Sequence, residues 1–294
     1  MEALHKASPL LGDSLAIQEL RDFIVGVSLL DDPVLLTGAQ GTGKELAARK
    51  IHAVGRTARA PFQSIRCDQV ASADVETILF GSPSAAGLLG QSAGGTCYLA
   101  GVEHLSFALM QRLSRHLIEP SVPSVDGYSA RTRLILGSCF ELRELQEGCF
   151  LDASFLDLVS CYHIDIPRLR DRLEDVPILC SYQIWLHCAG AEYERCWEGF
   201  RDEVLPDLLS YSWPGNVAEL NDVVASYCRG ELRELGAEAC AAVPRAAAGH
   251  HEALYVARCL DDLHQELLSV IELEQLTGRH DLLLASSTRL RELN

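Results

Sequence analysis

The chain has 294 residues and a formal net charge of −16 at pH 7, a balance that argues against a broad nucleic-acid-binding face and against attraction to an anionic membrane. Hydrophobic residues make up 48% of it, enough for a packed core, yet the apolar runs are too short for a membrane span. The 11 cysteines form no C-x-x-C pair, which is typical of reduced thiols in a cytoplasmic protein and not of a disulfide or zinc framework.

Short apolar runs alternate with stretches of helical periodicity over roughly the first 170 residues. The candidate strands are Val34–Thr37, Phe62–Arg66, Thr96–Leu99, Arg133–Leu136 and Tyr162–Ile166. The candidate helices are Ala16–Val27, Glu45–Val54, Phe107–Leu117 and Phe150–Leu158. This alternation predicts an α/β fold, in which a parallel sheet carries helices on both faces. From Glu174 onward the pattern is helical, with a break at Trp213–Asn216, which predicts a second, smaller and all-helical domain.

The first strand leads into a glycine-rich loop and then into a helix, the layout of a phosphate-binding P-loop. Gly38, Gly43 and Lys44 occupy the G-x-x-x-x-G-K positions. Glycines let backbone N–H groups turn toward a phosphate, and the helix N-terminus adds partial positive charge. Glu45 stands where the pattern normally has a Ser or Thr that ligates Mg²⁺. A tight strand–helix turn that binds nothing is the alternative.

Six segments, in order, resemble the AAA+ domain of sigma-54-dependent transcription activators, the bacterial enhancer-binding proteins. They are Pro9–Leu20, Gly38–Glu45, Glu76–Gly81, Gly94–Thr96, Leu169–Pro177 and Ser212–Leu220. The resemblance implies an AAA+ P-loop NTPase fold, in which residues 1–172 form the nucleotide-binding α/β subdomain and residues 173–235 form a helical lid. Residues 236–294 would be a linker and a C-terminal helical segment.

The chain departs from that family at positions that carry chemistry. Ala100 and Gly101 stand at the two Walker B positions, and Arg66 stands at the position of the Asn that restrains the catalytic Glu. Cys139 stands at the sensor position and Ala218 at the position of the lid arginine. Leu151 and Asp157 stand at the positions of the two trans-acting arginines. A general base contributes roughly 10²–10⁴ in rate and an arginine finger roughly 10³–10⁵, so the resemblance implies a catalytically silent module. Glu103 could replace the base, but we expect a solvated surface carboxylate in the turn after the strand. Arg170 and Arg172 are expected to pair with Glu174 and Asp175.

The loop that contacts sigma-54 in the family is shortened here to Ser82–Ala93 and has no Phe-Thr pair, although Ala85–Gly87 resembles a remnant of it. We therefore do not expect remodelling of the polymerase by the usual route. No sensory domain is expected before Pro9. From Arg245 onward five Arg and no Lys stand against eight acidic residues, which argues against DNA binding. Ala253–Ile271 is predicted to be an amphipathic helix that packs on the lid or on another subunit.

These observations favour a degenerate AAA+ protein that holds ATP or ADP without efficient hydrolysis and acts as a transcription-regulatory or assembly partner. The cofactor-binding set is Gly38, Gly41, Thr42, Gly43, Lys44 and Glu45, with a role for Mg²⁺ left open. The expected partners are further copies of the chain, an active AAA+ paralogue in a mixed ring, or another transcription regulator. Two alternatives stay open: an active ATPase that drives sigma-54-dependent transcription, using Glu103 or a residue supplied in trans, and an interaction protein with an empty P-loop.

Overall fold

The computed structural model describes residues 9–82, 85–118, 132–148, 150–188 and 191–230. The predicted C-terminal segment of residues 236–294, with its helix Ala253–Ile271, lies outside the described residues. No helix in the described ranges combines the length and apolar character that a membrane crossing requires.

The strands of the described residues are β1 Val34–Thr37, β2 Phe62–Arg66, β3 Gly81–Ser82, β4 Ala85–Ala86, β5 Thr96–Ala100, β6 Arg133–Gly137 and β7 His163–Asp165. Five of them form the parallel sheet at the core of the fold, in the order β2-β5-β6-β1-β7. The predicted parallel α/β sheet is therefore confirmed. Strands β3 and β4 form a separate antiparallel pair, so the segment interpreted as a remnant of the sigma-54-contacting loop begins in a short hairpin.

The helices follow the predicted alternation closely. They are α1 Leu15–Ser28, α2 Lys44–Val54, α3 Ser72–Phe80, α4 Leu88–Gln91, α5 Phe107–Ile118, α6 Leu142–Glu147, α7 Ala153–Val159, α8 Val176–His187, α9 Ala191–Glu203, α10 Leu205–Leu208 and α11 Asn216–Cys228. The prediction of a helix from Phe150 is wrong at its start. The Asp152 side chain accepts a hydrogen bond from the Phe155 N–H at 3.1 Å and caps the helix there, so α7 begins at Ala153.

Successive strand residues point to opposite faces of the sheet, and each face is covered by helices. On one face Leu35 and Leu99 pack in a cluster with residues of α3, α5 and α7. On the other face Leu36 and Tyr98 pack in a cluster with residues of α1 and α2. Both faces of the sheet are thus buried, so a ligand can reach the sheet only at the ends of its strands.

The helical region after β7 has its own core, in which Trp213 is 1% exposed and donates its indole N–H to the Leu208 carbonyl at 3.1 Å. This region meets the start of the chain through Asp175. The Asp175 carboxylate accepts hydrogen bonds from the backbone N–H groups of Asp13 and Ser14 at 2.7 and 2.9 Å. One buried carboxylate therefore connects the segment before α1 to the beginning of the helical region.

The arginines after β7 behave differently from one another. Arg172 pairs with Asp175 at 3.7 Å, as expected, and both side chains are buried. Arg170 was expected beside Glu174 but lies 3.8 Å from Asp171, because the short turn Leu169–Asp171 places these neighbours side by side on the surface. Burial lowers the pKa of Arg172, while Asp175 opposes that shift.

Candidate nucleotide site

The phosphate loop lies at the carboxyl end of β1 and leads into α2. Gly38, Gly41 and Gly43 all have left-handed φ angles, of 137°, 79° and 105°. A Cβ at position 38 would lie 2.7 Å from the Ile166 carbonyl oxygen, so the close approach of β7 requires glycine there. Gly43 is the N-cap of α2 and has no side chain to bond the first N–H groups of the helix. Those donors are therefore available to an anion.

Lys44 is folded over the loop. Its ammonium donates to the carbonyl oxygens of Gly38 and Ala39 at 2.5 and 2.9 Å and lies 3.7 Å from the Cys139 Sγ. Burial lowers the pKa of Lys44, and the nearby Cys139, Glu103 and Asp165 side chains oppose that shift. A phosphate at the loop would replace the two carbonyl oxygens as partner of the ammonium.

The other two predicted loop residues serve the local structure. Thr42 is buried, and its hydroxyl donates to the Ala39 carbonyl at 2.9 Å, which closes the turn. Glu45 is exposed and pairs with Arg49 at 2.6 Å, one turn along the same helix. The Glu45 carboxylate is thus neutralised outside the loop.

The side chains of Thr37, His163 and Asp165 form contacts that hold the end of β1, just before the loop. The Thr37 hydroxyl donates to Asp165 Oδ1 at 2.8 Å and lies 2.8 Å from His163 Nε2. Burial lowers the pKa of His163, while the nearby Asp165 opposes that shift. These bonds fix the end of β1 against β7, and hence the position from which the loop departs.

The Glu103 carboxylate lies beside Cys139, a position that the sequence did not predict. Gly101 has φ 72°, and a turn at Val102–His104 follows it. The chain therefore reverses at once after β5, and Glu103 Oε1 accepts the Cys139 N–H at 3.1 Å. Glu103 is half-buried, and its Oε2 is buried with no hydrogen-bond partner among the described residues. The expectation of a solvated surface carboxylate is wrong.

The remaining departures from the family have local explanations. Arg66 pairs with Asp68 at 2.8 Å, and this hydrogen bond lowers the pKa of Asp68. Leu151 is 6% exposed and belongs to the sheet-side core, whereas Asp157 is exposed on α7. The Leu151 side chain therefore serves packing in this core.

The lid rests directly on the phosphate loop. Asn216 is 2% exposed, donates from Nδ2 to the Gln40 carbonyl at 2.9 Å and accepts the Leu169 N–H at Oδ1 at 2.9 Å. The Ala218 N–H donates to the Gly41 carbonyl at 3.3 Å. No local pattern in the sequence predicts this contact, because Gln40 and Asn216 are 176 positions apart.

Asn216→Ala should lower the free energy of unfolding by about 2–4 kcal/mol, as judged by urea denaturation without nucleotide. One buried and one part-buried hydrogen bond contribute roughly 1 kcal/mol each, and the buried N–H of Leu169, left without an acceptor, adds to the loss. Asn216 also has φ 54°, a left-handed conformation that costs alanine roughly 1 kcal/mol.

Asn221→Ala is the matched control for this substitution, because Asn221 lies on the same helix and its Oδ1 has no partner among the described residues. It should change the free energy of unfolding by less than about 1 kcal/mol. Equal losses for the two variants would contradict the assigned role of Asn216.

Comparison with known proteins adds two family matches. Residues 10–152 match the sigma-54 interaction domain, and residues 170–232 match the AAA+ ATPase lid domain. The transcriptional regulatory protein ZraR of Klebsiella oxytoca is 32% identical over 228 residues, 73% of this chain and 51% of ZraR. The DNA-binding transcriptional regulator NtrC of Azospirillum brasilense is 31% identical over 229 residues, 74% of this chain and 47% of NtrC. The chain therefore spans about half the length of these relatives.

Solved structures agree at the level of the fold. NtrX from Brucella abortus in complex with ADP superimposes with a TM-score of 0.68 at 24% identity, over 85% of this chain and 59% of NtrX. The same protein in complex with ATP gives a TM-score of 0.69 at 22% identity, over 98% of this chain and 70% of NtrX. At this identity the likeness shows the AAA+ fold alone.

Proposed function

The chain belongs to the sigma-54 activator family of AAA+ proteins, and from that premise we propose that it binds ATP or ADP without efficient hydrolysis. In this proposal it acts in the cytoplasm as a regulatory or assembly partner in transcription. The observation that best supports this proposal is a contrast within one site. The phosphate loop has its left-handed glycines and Lys44, whereas the end of β5 has Ala100 and Gly101 in place of carboxylates.

Binding is supported by the loop and by its surroundings. The uncapped N-terminus of α2 offers backbone donors, and Lys44 supplies a cation whose partners among the described residues are carbonyl oxygens and a thiol. The relative NtrX has been crystallised in complex with ADP and with ATP. We propose that the same nucleotides bind here through Gly38, Gly41, Thr42, Gly43 and Lys44, with Glu45 at the first turn of the helix.

Weak hydrolysis is supported by the residues that replace the family's catalytic groups. Ala100 and Gly101 offer no carboxylate, and Cys139 stands at the sensor position. A missing general base costs roughly 10²–10⁴ in rate, and a missing arginine finger roughly 10³–10⁵. The losses are not additive, but either one is enough to leave a feeble ATPase.

Leu151 and Asp157 suggest what such a module does to a partner. In the family, the residues at these positions act on the nucleotide of the neighbouring subunit. Here one is buried in the core and the other is acidic. We propose that the chain joins an active paralogue in a mixed ring and leaves the adjacent nucleotide without its arginine. A homo-oligomer, or a complex with another transcription regulator, is the alternative.

ATP should bind saturably in a calorimetric titration of the full chain, while steady-state phosphate release stays at background. Lys44→Ala should weaken binding at least tenfold, because the ammonium is the loop's own charged contact to phosphate. Turnover that disappears in Lys44→Ala would instead establish the active ATPase. Absence of binding to both ATP and ADP would favour an interaction protein with an empty loop.

One observation favours the active ATPase as a second candidate. Glu103 is half-buried and accepts the N–H of Cys139, the residue at the sensor position, whose Sγ lies 3.7 Å from the Lys44 ammonium. A carboxylate there has the chemistry of a general base, whose reach must include a water beside the terminal phosphate. In that case Glu103→Gln would abolish turnover and leave ATP bound, whereas in the proposed function there is no turnover to lose.

A further inference from the structure

The Glu103 carboxylate has one oxygen that accepts a hydrogen bond and one that has no partner among the described residues. Oε1 accepts the Cys139 N–H at 3.1 Å, and the Sγ of the same cysteine lies 3.7 Å from the Lys44 ammonium at the loop. Oε2 is buried and has no partner among the described residues. A buried ionised oxygen without a donor or cation is costly, and natural sites rarely leave one unexplained. The geometry therefore indicates a positively charged ligand at this oxygen.

The cation does not come from Lys44 in this arrangement. Its ammonium is taken by the carbonyl oxygens of Gly38 and Ala39 and by the Cys139 thiol, and the ion pairs of the described residues include none between Lys44 and Glu103. Lys44 is near enough for Glu103 to oppose the lowering of its pKa. Glu103 is therefore beside the phosphate-binding group without being neutralised by it.

The other acidic side chains around the loop already have partners. Glu45 pairs with Arg49 at 2.6 Å, and Asp68 pairs with Arg66 at 2.8 Å. Asp165 accepts the Thr37 hydroxyl at 2.8 Å. Since Ala100 and Gly101 have no carboxylate, Glu103 is the acidic group of this set whose carboxylate oxygen is buried without a partner among the described residues.

We infer that Glu103 makes ATP binding at the phosphate loop depend on a divalent cation, which its free oxygen and the nucleotide phosphates would hold in common. Mg²⁺ commonly binds through one or two carboxylates together with substrate phosphates, so one protein carboxylate is sufficient. Without the cation, the carboxylate and the triphosphate repel one another. The inference rests on the proposed function, because it requires that ATP binds at all.

The test compares the dissociation constant of ATP with Mg²⁺ and with EDTA, by calorimetry on the full chain. For the native chain the Mg²⁺ complex should bind about tenfold more tightly or better, because the cation replaces a repulsion between like charges with an attraction. In Glu103→Gln this ratio should fall to about threefold or less. The glutamine retains an oxygen for the Cys139 N–H, so the variant preserves the local fold.

Asp157→Asn is the control, because it removes the same charge from an exposed position on α7 and should retain the native ratio. A native ratio in Glu103→Gln would overturn the inference, as would a native chain that binds ATP equally with Mg²⁺ and EDTA; the proposed function would survive both results. A native chain that binds ATP under neither condition would overturn the proposed function and the inference together.

Discussion

Asp175→Ala should lower the free energy of unfolding by about 3–5 kcal/mol, the loss expected when one partner of a buried ion pair is removed. Asp175 is 0% exposed and accepts the N–H groups of Asp13 and Ser14 as well as the Ser14 hydroxyl, the last at 2.6 Å. The substitution also leaves Arg172, 3% exposed, without its carboxylate. Urea denaturation, monitored by far-UV circular dichroism, measures the decrease in the free energy of unfolding.

Asp171→Ala is the matched control for Asp175→Ala. Asp171 lies four positions earlier, is exposed and contacts Arg170 at 3.8 Å on the surface, so its removal should cost less than about 1 kcal/mol. Asp175→Asn adds a second comparison, because the amide retains one oxygen acceptor but removes the charge. If Asp175→Ala cost no more than Asp171→Ala, the buried carboxylate would not connect the segment before α1 to the helical region.

Gly41→Ala should lower the free energy of unfolding by about 2–5 kcal/mol without nucleotide. A left-handed alanine costs roughly 1–2 kcal/mol, and overpacking adds roughly 1–3 kcal/mol. The new Cβ would lie 2.2 Å from the Gly215 carbonyl oxygen and 3.1 Å from the Ala218 Cβ. A backbone oxygen cannot rotate away, so the lid itself has to move.

Gly43→Ala separates backbone strain from the lid clash. Gly43 has φ 105°, also left-handed, but a Cβ there would meet nothing within 4 Å. Its cost should therefore be limited to the strain, roughly 1–2 kcal/mol. Hydrogen exchange at the Ala218 N–H, which donates to Gly41, should accelerate in Gly41→Ala and not in Gly43→Ala. Equal losses and equal exchange in the two variants would show that the lid does not rest on the loop.

Several features of the site were predictable because they depend on local sequence. The run Val34–Thr37 is apolar and β-prone, and the glycines after it permit the left-handed angles of the loop. The start of α7 was missed by a small margin, because Asp152 competes with the apolar pattern as a cap. Local propensity is strong where a run is long and periodic and weak at element ends.

The α/β order, the phosphate loop and the absence of carboxylates at positions 100 and 101 follow from the amino-acid sequence, since each depends on residues adjacent in the chain. The position of the Glu103 carboxylate and the contacts that hold the lid depend on tertiary packing. The left-handed turn at Gly101 and the parallel neighbour β6 bring the Glu103 carboxylate to Cys139, and a packing contact across 176 positions brings Asn216 to Gln40. Such contacts depend on how distant elements pack, and no propensity of the residues involved encodes that packing.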